Sequence, residues 1–186
     1  MRIITDDISK YDIDWWENLY KKHPHTNTPI ELETFKIASE LSSGKILDVG
    51  CGEGEASQFF KHYKGIDWSK TVIDRAISRF GNKFMVGDIE DVKEQYDYAL
   101  LSQVFEHLEN PKEYIQRIKT KAKNVIVILP NGEKGNEVVQ NDKETLKEIT
   151  EDTDYHYAVY EWEDLQQMFP DAKLIKKDEY NILFVC

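Results

Sequence analysis

The stretch from Lys45 to Ser57 reads KILDVGCGEGEAS, an apolar strand carrying an acid and running into three alternate glycines. Bare positions so closely spaced make a turn whose backbone a ligand can approach, because glycine adopts backbone angles closed to other residues. Opening a helix, such a turn can hold the pyrophosphate of a dinucleotide, the phosphates of a nucleoside triphosphate or another adenosine compound. The rest of the chain has to choose among them.

Around this run the segments alternate. EASQFFKHY reads as a short helix ending near His62, followed by strand YKGID, helix TVIDRAISRF, strand KFMVGD, strand YDYALLSQ, helix PKEYIQRIKTK and strand NVIVILP. Strands alternating with helices predict a parallel sheet covered on both faces. Ahead of the run, Thr28, Pro29 and Glu31 supply a cap, a proline at the first helical position and the acid of a capping box. A helix is therefore expected from Pro29 to Leu41, with Ile30, Phe35, Ile37, Ala38 and Leu41 toward the core. Residues 11–22 place Ile13, Trp16 and Tyr20 at helical spacing beside Trp15 and Leu19, which predicts a short amphipathic helix. Residues 133–154 are highly charged and read as an exposed excursion with one helix near 143–150. Helix 161–169 follows, and AKLIKKDEYNILFVC closes as two strands joined by a polar turn.

A chain of 186 residues suits one domain. Residues 1–28 are expected to form an N-terminal cap on a core of residues 29–186. With 40% hydrophobic and 32% charged residues, a water-soluble globule with a sizeable core is expected. Apolar runs such as NVIVILP fall well short of the ~20 residues that span a bilayer. The first residues lack the pattern of a secretory signal, so the expected location is the cytoplasm. The two cysteines, Cys51 and Cys186, suggest neither a disulfide framework nor a metal site, and no metal is expected. A formal charge of −11 disfavours nucleic acid as a partner, since Lys and Arg supply most affinity for a phosphate backbone. Neither this charge nor any motif fixes an oligomeric state.

The glycine spacing is G-x-G-x-G, with Glu55 where a dinucleotide fingerprint places its third glycine or alanine. Asp48, Glu53 and Glu55 flank the turn, and carboxylates there oppose a pyrophosphate. A phosphate-binding P-loop would need Gly-Lys-Ser or Gly-Lys-Thr after the glycines. A phosphate-free adenosine compound with a positive centre suits these acids better.

Read in order, ILDVGCGEG, GIDWS, VGDIED and YALLSQVFEHLENP resemble the motifs of the class I S-adenosylmethionine-dependent methyltransferases of the small-molecule type, from about residue 44 onward. The resemblance implies a Rossmann-like α/β fold, a mostly parallel seven-stranded sheet with an antiparallel last strand and helices on both faces. It implies S-adenosyl-L-methionine as cofactor and S-adenosyl-L-homocysteine as product. Gly50, Cys51, Gly52 and Gly54 match the turn that approaches the methionine part, with Asp48 orienting the loop or the ammonium. Asp67 matches the acid that accepts the ribose hydroxyls, and Trp68 and Ser69 follow it. Asp88 and Ile89 resemble the pair that reads the adenine. Ser102, Gln103 and Val104 are expected along the methionine and the transferable methyl. Trp68 either packs for its area or lies against the adenine, and Cys51 is expected as a small turn residue without a carrier role.

Methyl transfer from a sulfonium needs proximity and orientation, and a base only if the acceptor holds a proton. His107 with Glu106, beyond the fourth strand, and His156 are the candidate catalytic residues; Glu106 and His107 alternatively cap the next helix. Trp15, Trp16 and Tyr20, with Tyr155 and Tyr157 flanking His156, are candidate acceptor contacts. The N-terminal aromatics form either a lid that excludes water or ordinary core packing. The expected acceptor is a hydroxyl, amine or activated carbon of a small molecule such as a sugar or metabolite, since SQVF replaces the motif of amino-methylating DNA enzymes. A catalytically silent cofactor-binding subunit and a NAD-dependent oxidoreductase are the competing readings.

Overall fold

The computed structural model describes residues 2–3, 12–22, 29–132 and 158–186. Strand β1 is Arg2–Ile3, and the helices are α1 (Ile13–Lys22), α2 (Pro29–Leu41), α3 (Lys70–Phe80), α4 (Pro111–Lys119) and α5 (Trp162–Met168). The remaining strands are β2 (Lys45–Val49), β3 (His62–Asp67), β4 (Phe84–Val86), β5 (Tyr96–Ser102), β6 (Ala122–Pro130), β7 (Ala158–Val159), β8 (Lys173–Lys177) and β9 (Asn181–Val185).

Seven strands form one sheet in the order β4-β3-β2-β5-β6-β9-β8. The first five are mutually parallel, and β9 is antiparallel to both of its neighbours, as the closing hairpin predicts. Antiparallel β9 brings its first residue, Asn181, opposite Pro130 at the carboxyl end of β6. Separately, β1 pairs with β7, Arg2 opposite Val159, a link that the sequence pattern does not suggest.

Side-chain alternation explains the two covered faces. Leu47 and Val49 of β2, Ala99 and Leu101 of β5, and Val125, Val127 and Leu129 of β6 join one cluster with Ile115 and Ile118 of α4 and Leu165 of α5. The intervening residues Ile46, Leu100, Ile126 and Ile128 join Phe35 and Ala38 of α2 on the other face. Strands buried on both sides are therefore apolar at nearly every position. Asp48 is the exception in β2, and it is 2% exposed.

Four local expectations need correction. EASQFFKHY is helical only in its first four residues, as the 3-10 helix Glu55–Gln58, and His62 begins β3 opposite Lys45 instead of ending a helix. Adjacent Phe59 and Phe60 both pack with the α2-side cluster, against Phe35 and Tyr63 respectively. In α2, Phe35 and Ala38 are buried and Ile37 packs against them, but Leu41 in the last turn is exposed. Ile13 of α1 is exposed as well, and Leu19 is that helix's buried residue. The expected helix near 143–150 lies outside the described residues.

Candidate active site

The strand order reverses at β2, with β3 on one side and β5 on the other, and open α/β sheets bind ligands at the carboxyl ends of strands at such a point. The glycine turn sits there. Gly50 and Cys51 donate their backbone N–H groups to the Ile66 carbonyl of β3 at 2.9 and 3.0 Å. Gly50, at φ 73°, lies so close to Val104 that an added Cβ would stand 2.5 Å from its Cγ2. Gly52, at φ 51°, would direct its Cβ into open space, so this part of the turn faces away from protein.

Beneath the turn, Asp48 accepts a hydrogen bond from the Tyr63 hydroxyl at 2.5 Å. Its other oxygen, Oδ1, is buried without a hydrogen-bond partner. Burial, opposed by the Tyr63 hydrogen bond and reinforced by Asp67, raises the Asp48 carboxyl to about 7. A buried acid of this kind favours a donor or a cation that reaches its unpaired oxygen. Burial, reinforced by Asp48 and Asp67, also pushes the Cys51 thiol well up, which disfavours its thiolate.

Asp67 at the end of β3 joins two elements: Oδ2 accepts from Gly52 N at 3.0 Å and Oδ1 from Ser69 N at 2.9 Å. Trp68 beside it is 41% exposed, against the packing alternative. Ser69 is buried and caps α3, accepting from Val72 N. On the next strand end, Asp88 accepts from Ile89 N at 2.6 Å, from the Tyr114 hydroxyl at 2.9 Å and from Arg117 at 3.1 Å. Burial raises its carboxyl, but these hydrogen bonds and Arg117 outweigh it and hold the pKa low. An adenine amine would have to share Asp88 with Tyr114 and Arg117.

Glu53 and Glu55 do not present charge to the cleft as the sequence implies. Arg75 and Arg79 of α3 bind Glu53 at 2.9 and 3.1 Å, and Arg79 also pairs with Glu55. Both acids are buried in these pairs, which removes them as an argument against phosphate; burial raises the carboxyls of Asp48 and Asp67, the two acids left at the turn. The i, i+4 spacing of the two arginines was visible in the sequence, but their target lies more than twenty residues upstream.

At the end of β5, Ser102 is half-buried and Gln103 takes φ 56°. Val104 leans on Gly50, and the 3-10 turn Phe105–His107 follows, with Glu106 at 1% exposure. Trp16 of α1 meets the His107 ring edge to face, with centroids 5.0 Å apart. Trp16 also stacks on Tyr20 at 5.8 Å and meets Trp15 at 4.9 Å. Glu17 of the same helix accepts from Ser69 Oγ at 2.5 Å and Thr71 Oγ1 at 2.6 Å. Helix α1 thus touches residues after β3 and after β5, and so bridges the end of β2 between them. Glu17, Tyr63, Tyr114 and Arg117 are site elements that sequence reasoning missed; none belongs to a motif. His156, Tyr155 and Tyr157 lie outside the described residues.

A family profile described as "Methyltransferase domain" matches residues 27–172. The chain belongs to the methyltransferase domain family. Among curated relatives, a ubiquinone biosynthesis O-methyltransferase from Paraburkholderia phytofirmans is 27% identical over 123 residues, covering 59% of this chain and 53% of the relative. The chain spans about half the length of the curated relatives it matches. Among solved structures, the DhpI-SAM-HEP complex superposes with a TM-score of 0.69 at 10% identity, covering 98% of each chain. Magnesium protoporphyrin IX methyltransferase from Synechocystis, with bound SAH, gives a TM-score of 0.60 at 15% identity, covering 96% of this chain and 94% of its own. These likenesses establish the methyltransferase fold. Among the described residues no helix is long and apolar enough to cross a membrane.

Proposed function

We propose that this methyltransferase-domain chain uses S-adenosyl-L-methionine to methylate a small molecule. The observation that carries the reading is Asp48, a buried carboxyl whose Oδ1 lacks a partner beneath a glycine turn that is bare on its cleft side. A cationic, phosphate-free ligand end fits that combination, and Asp67 stands next to it. When bound, the cofactor supplies a methyl group already activated by its sulfonium.

The residues divide as follows. Asp48, Gly50, Cys51, Gly52, Gly54 and the Ser102–Gln103–Val104 segment hold the methionine part, and Asp67 and Ser69 form the ribose end. Trp68, Asp88 and Ile89 frame the adenine. His107, with Glu106 beside it, takes the proton of a protic acceptor, and His156 is the second candidate for that role. Trp15, Trp16 and Tyr20 wall the acceptor space, and α1 acts as the lid that keeps water out; Tyr155 and Tyr157 are further candidates for acceptor contact. The relatives named ubiquinone biosynthesis O-methyltransferase make a hydroxyl the first acceptor to test. A net charge of −11 favours a small molecule over nucleic acid.

Calorimetric titration tests the cofactor. Saturable binding of S-adenosylhomocysteine and none of NAD is expected; tight NAD binding without S-adenosylhomocysteine binding overturns the proposal. Incubation of the protein with adenosylmethionine and a panel of hydroxylated acceptors should then release S-adenosylhomocysteine. A protein that binds the cofactor and never turns over is a silent binding subunit.

A further inference from the structure

Gln103 is the one non-glycine residue with positive φ among the described residues, at 56°. A residue bearing a Cβ is strained in the left-handed region and persists there only where its surroundings hold it. Two groups hold this one. Its backbone N–H continues the sheet by donating to the Ile128 carbonyl at 2.9 Å, and its side-chain Nε2 donates to Asn181 Oδ1 at 3.2 Å.

Asn181 is placed to act as an anchor. It is 6% exposed and is the first residue of β9. Its own N–H donates to Asp178 Oδ1 at 2.8 Å, and its carbonyl accepts from Asp178 N at 3.0 Å, so the hairpin turn fixes its backbone. Asn131, after β6, braces the same turn: its N–H donates to the Tyr180 carbonyl at 2.8 Å and its Nδ2 to the Asp178 carbonyl at 2.6 Å. Because β9 runs antiparallel, this turn lies at the carboxyl edge of the sheet, where the glycine turn also lies. Directly after Gln103, Val104 packs on Gly50. The bend at residue 103 therefore sets how the strand end meets the glycine turn.

We infer that Asn181 is a positioning residue of the cofactor site: through its hydrogen bond to Gln103 it holds the left-handed bend that seats Val104 against Gly50 and shapes the cleft. This gives the antiparallel last strand a functional task besides closing the sheet. The inference rests on the adenosylmethionine reading proposed above.

Four variants of the whole chain, N181A, Q103A, Q103G and N181A/Q103G, decide it, with S-adenosylhomocysteine affinity and melting temperature as readouts. Loss of the anchor should weaken binding about tenfold in N181A and Q103A, the scale of one buried hydrogen bond together with the bend it supports. Glycine adopts positive φ unaided, so Q103G should bind several-fold more tightly than Q103A, although both lack the amide. In the Q103G background, N181A should cost less than about twofold, the non-additivity expected of two residues acting as one unit. Equal affinities for Q103A and Q103G, or the same loss from N181A in both backgrounds, overturn the inference and leave Asn181 a purely structural residue. If N181A fails to fold, the comparison of Q103A with Q103G decides alone. A wild-type protein that binds no S-adenosylhomocysteine overturns the cofactor reading and this inference with it.

Discussion

Glu17 of α1 accepts a 2.5 Å hydrogen bond from the hydroxyl of Ser69, the residue that caps α3. The contact spans 52 residues of sequence and fastens the N-terminal helix to the turn that follows Asp67. Thr71 adds its hydroxyl and its N–H to the same carboxylate. An anion at the start of a helix also meets that helix's positive end.

Removal of this fastening should loosen α1. Glu17→Ala is expected to change the fluorescence of Trp15 and Trp16 and to weaken S-adenosylhomocysteine binding about fivefold, because the cap must then be ordered on binding. Unchanged fluorescence and affinity would show that Trp16 against His107 suffices. Burial raises the Glu17 carboxyl, but the bonds from Ser69 and Thr71 and the charge of Lys21 prevail and hold it at about 2. Its folded pKa lies below the unfolded one, so its contribution is complete above the ordinary carboxylate range and lost as pH falls toward 2.

Asp48 has the opposite sign. A folded pKa near 7 lies above the unfolded value, so the ligand-free protein loses stability as pH rises from about 4 to 7 and loses no more beyond it. Asp48→Asn keeps an acceptor for Tyr63 without the charge. Its melting temperature at pH 8 should exceed that of the wild type by roughly 5 °C, while its affinity for S-adenosylhomocysteine falls about tenfold. Scanning calorimetry at pH 5 and pH 8 measures the first effect; a gain of equal size at both pH values argues against a buried charge.

Asp67 has a structural role and a proposed ribose role, which one variant can separate. Asp67→Ala removes the acceptor for Gly52 N and Ser69 N together with the proposed ribose contact, and should cost about 100-fold in cofactor affinity and several degrees of stability. Asp67→Asn keeps one acceptor oxygen and should recover much of the stability but little of the affinity. Equal recovery of both would confine Asp67 to a structural role.

Gly50 and Gly52 should respond differently to the same change. In Gly50→Ala the new methyl meets Val104, and in Gly52→Ala it meets open space. Gly52→Ala should lose only about 1 kcal/mol of stability, from positive φ, yet bind S-adenosylhomocysteine at least about tenfold more weakly. Gly50→Ala should be the less stable variant in urea denaturation. Undiminished binding by Gly52→Ala would mean that the open side of the turn is not the ligand's side.

Sequence pattern determined the architecture here because its signals are local. KILDV followed by bare glycines, apolar runs at the central parallel strands and the closing hairpin each fix a backbone state within a few residues, and β9 duly returned antiparallel. The positions of Asp48, Asp67 and Ser102–Gln103–Val104 toward strand ends were legible for the same reason; the left-handed bend at Gln103 was not. Partners were not. Glu53 and Glu55 read as charges facing a ligand until α3 supplied Arg75 and Arg79; Asp48 received Tyr63 through the register of neighbouring strands; Gln103 received Asn181 from 78 residues away. Which charges are neutralised, which carboxyl keeps an open oxygen and which backbone bend is held depend on side chains brought together from distant segments. The tertiary fold alone decides that, because electrostatics and hydrogen bonding act over a few ångströms of space irrespective of distance along the chain.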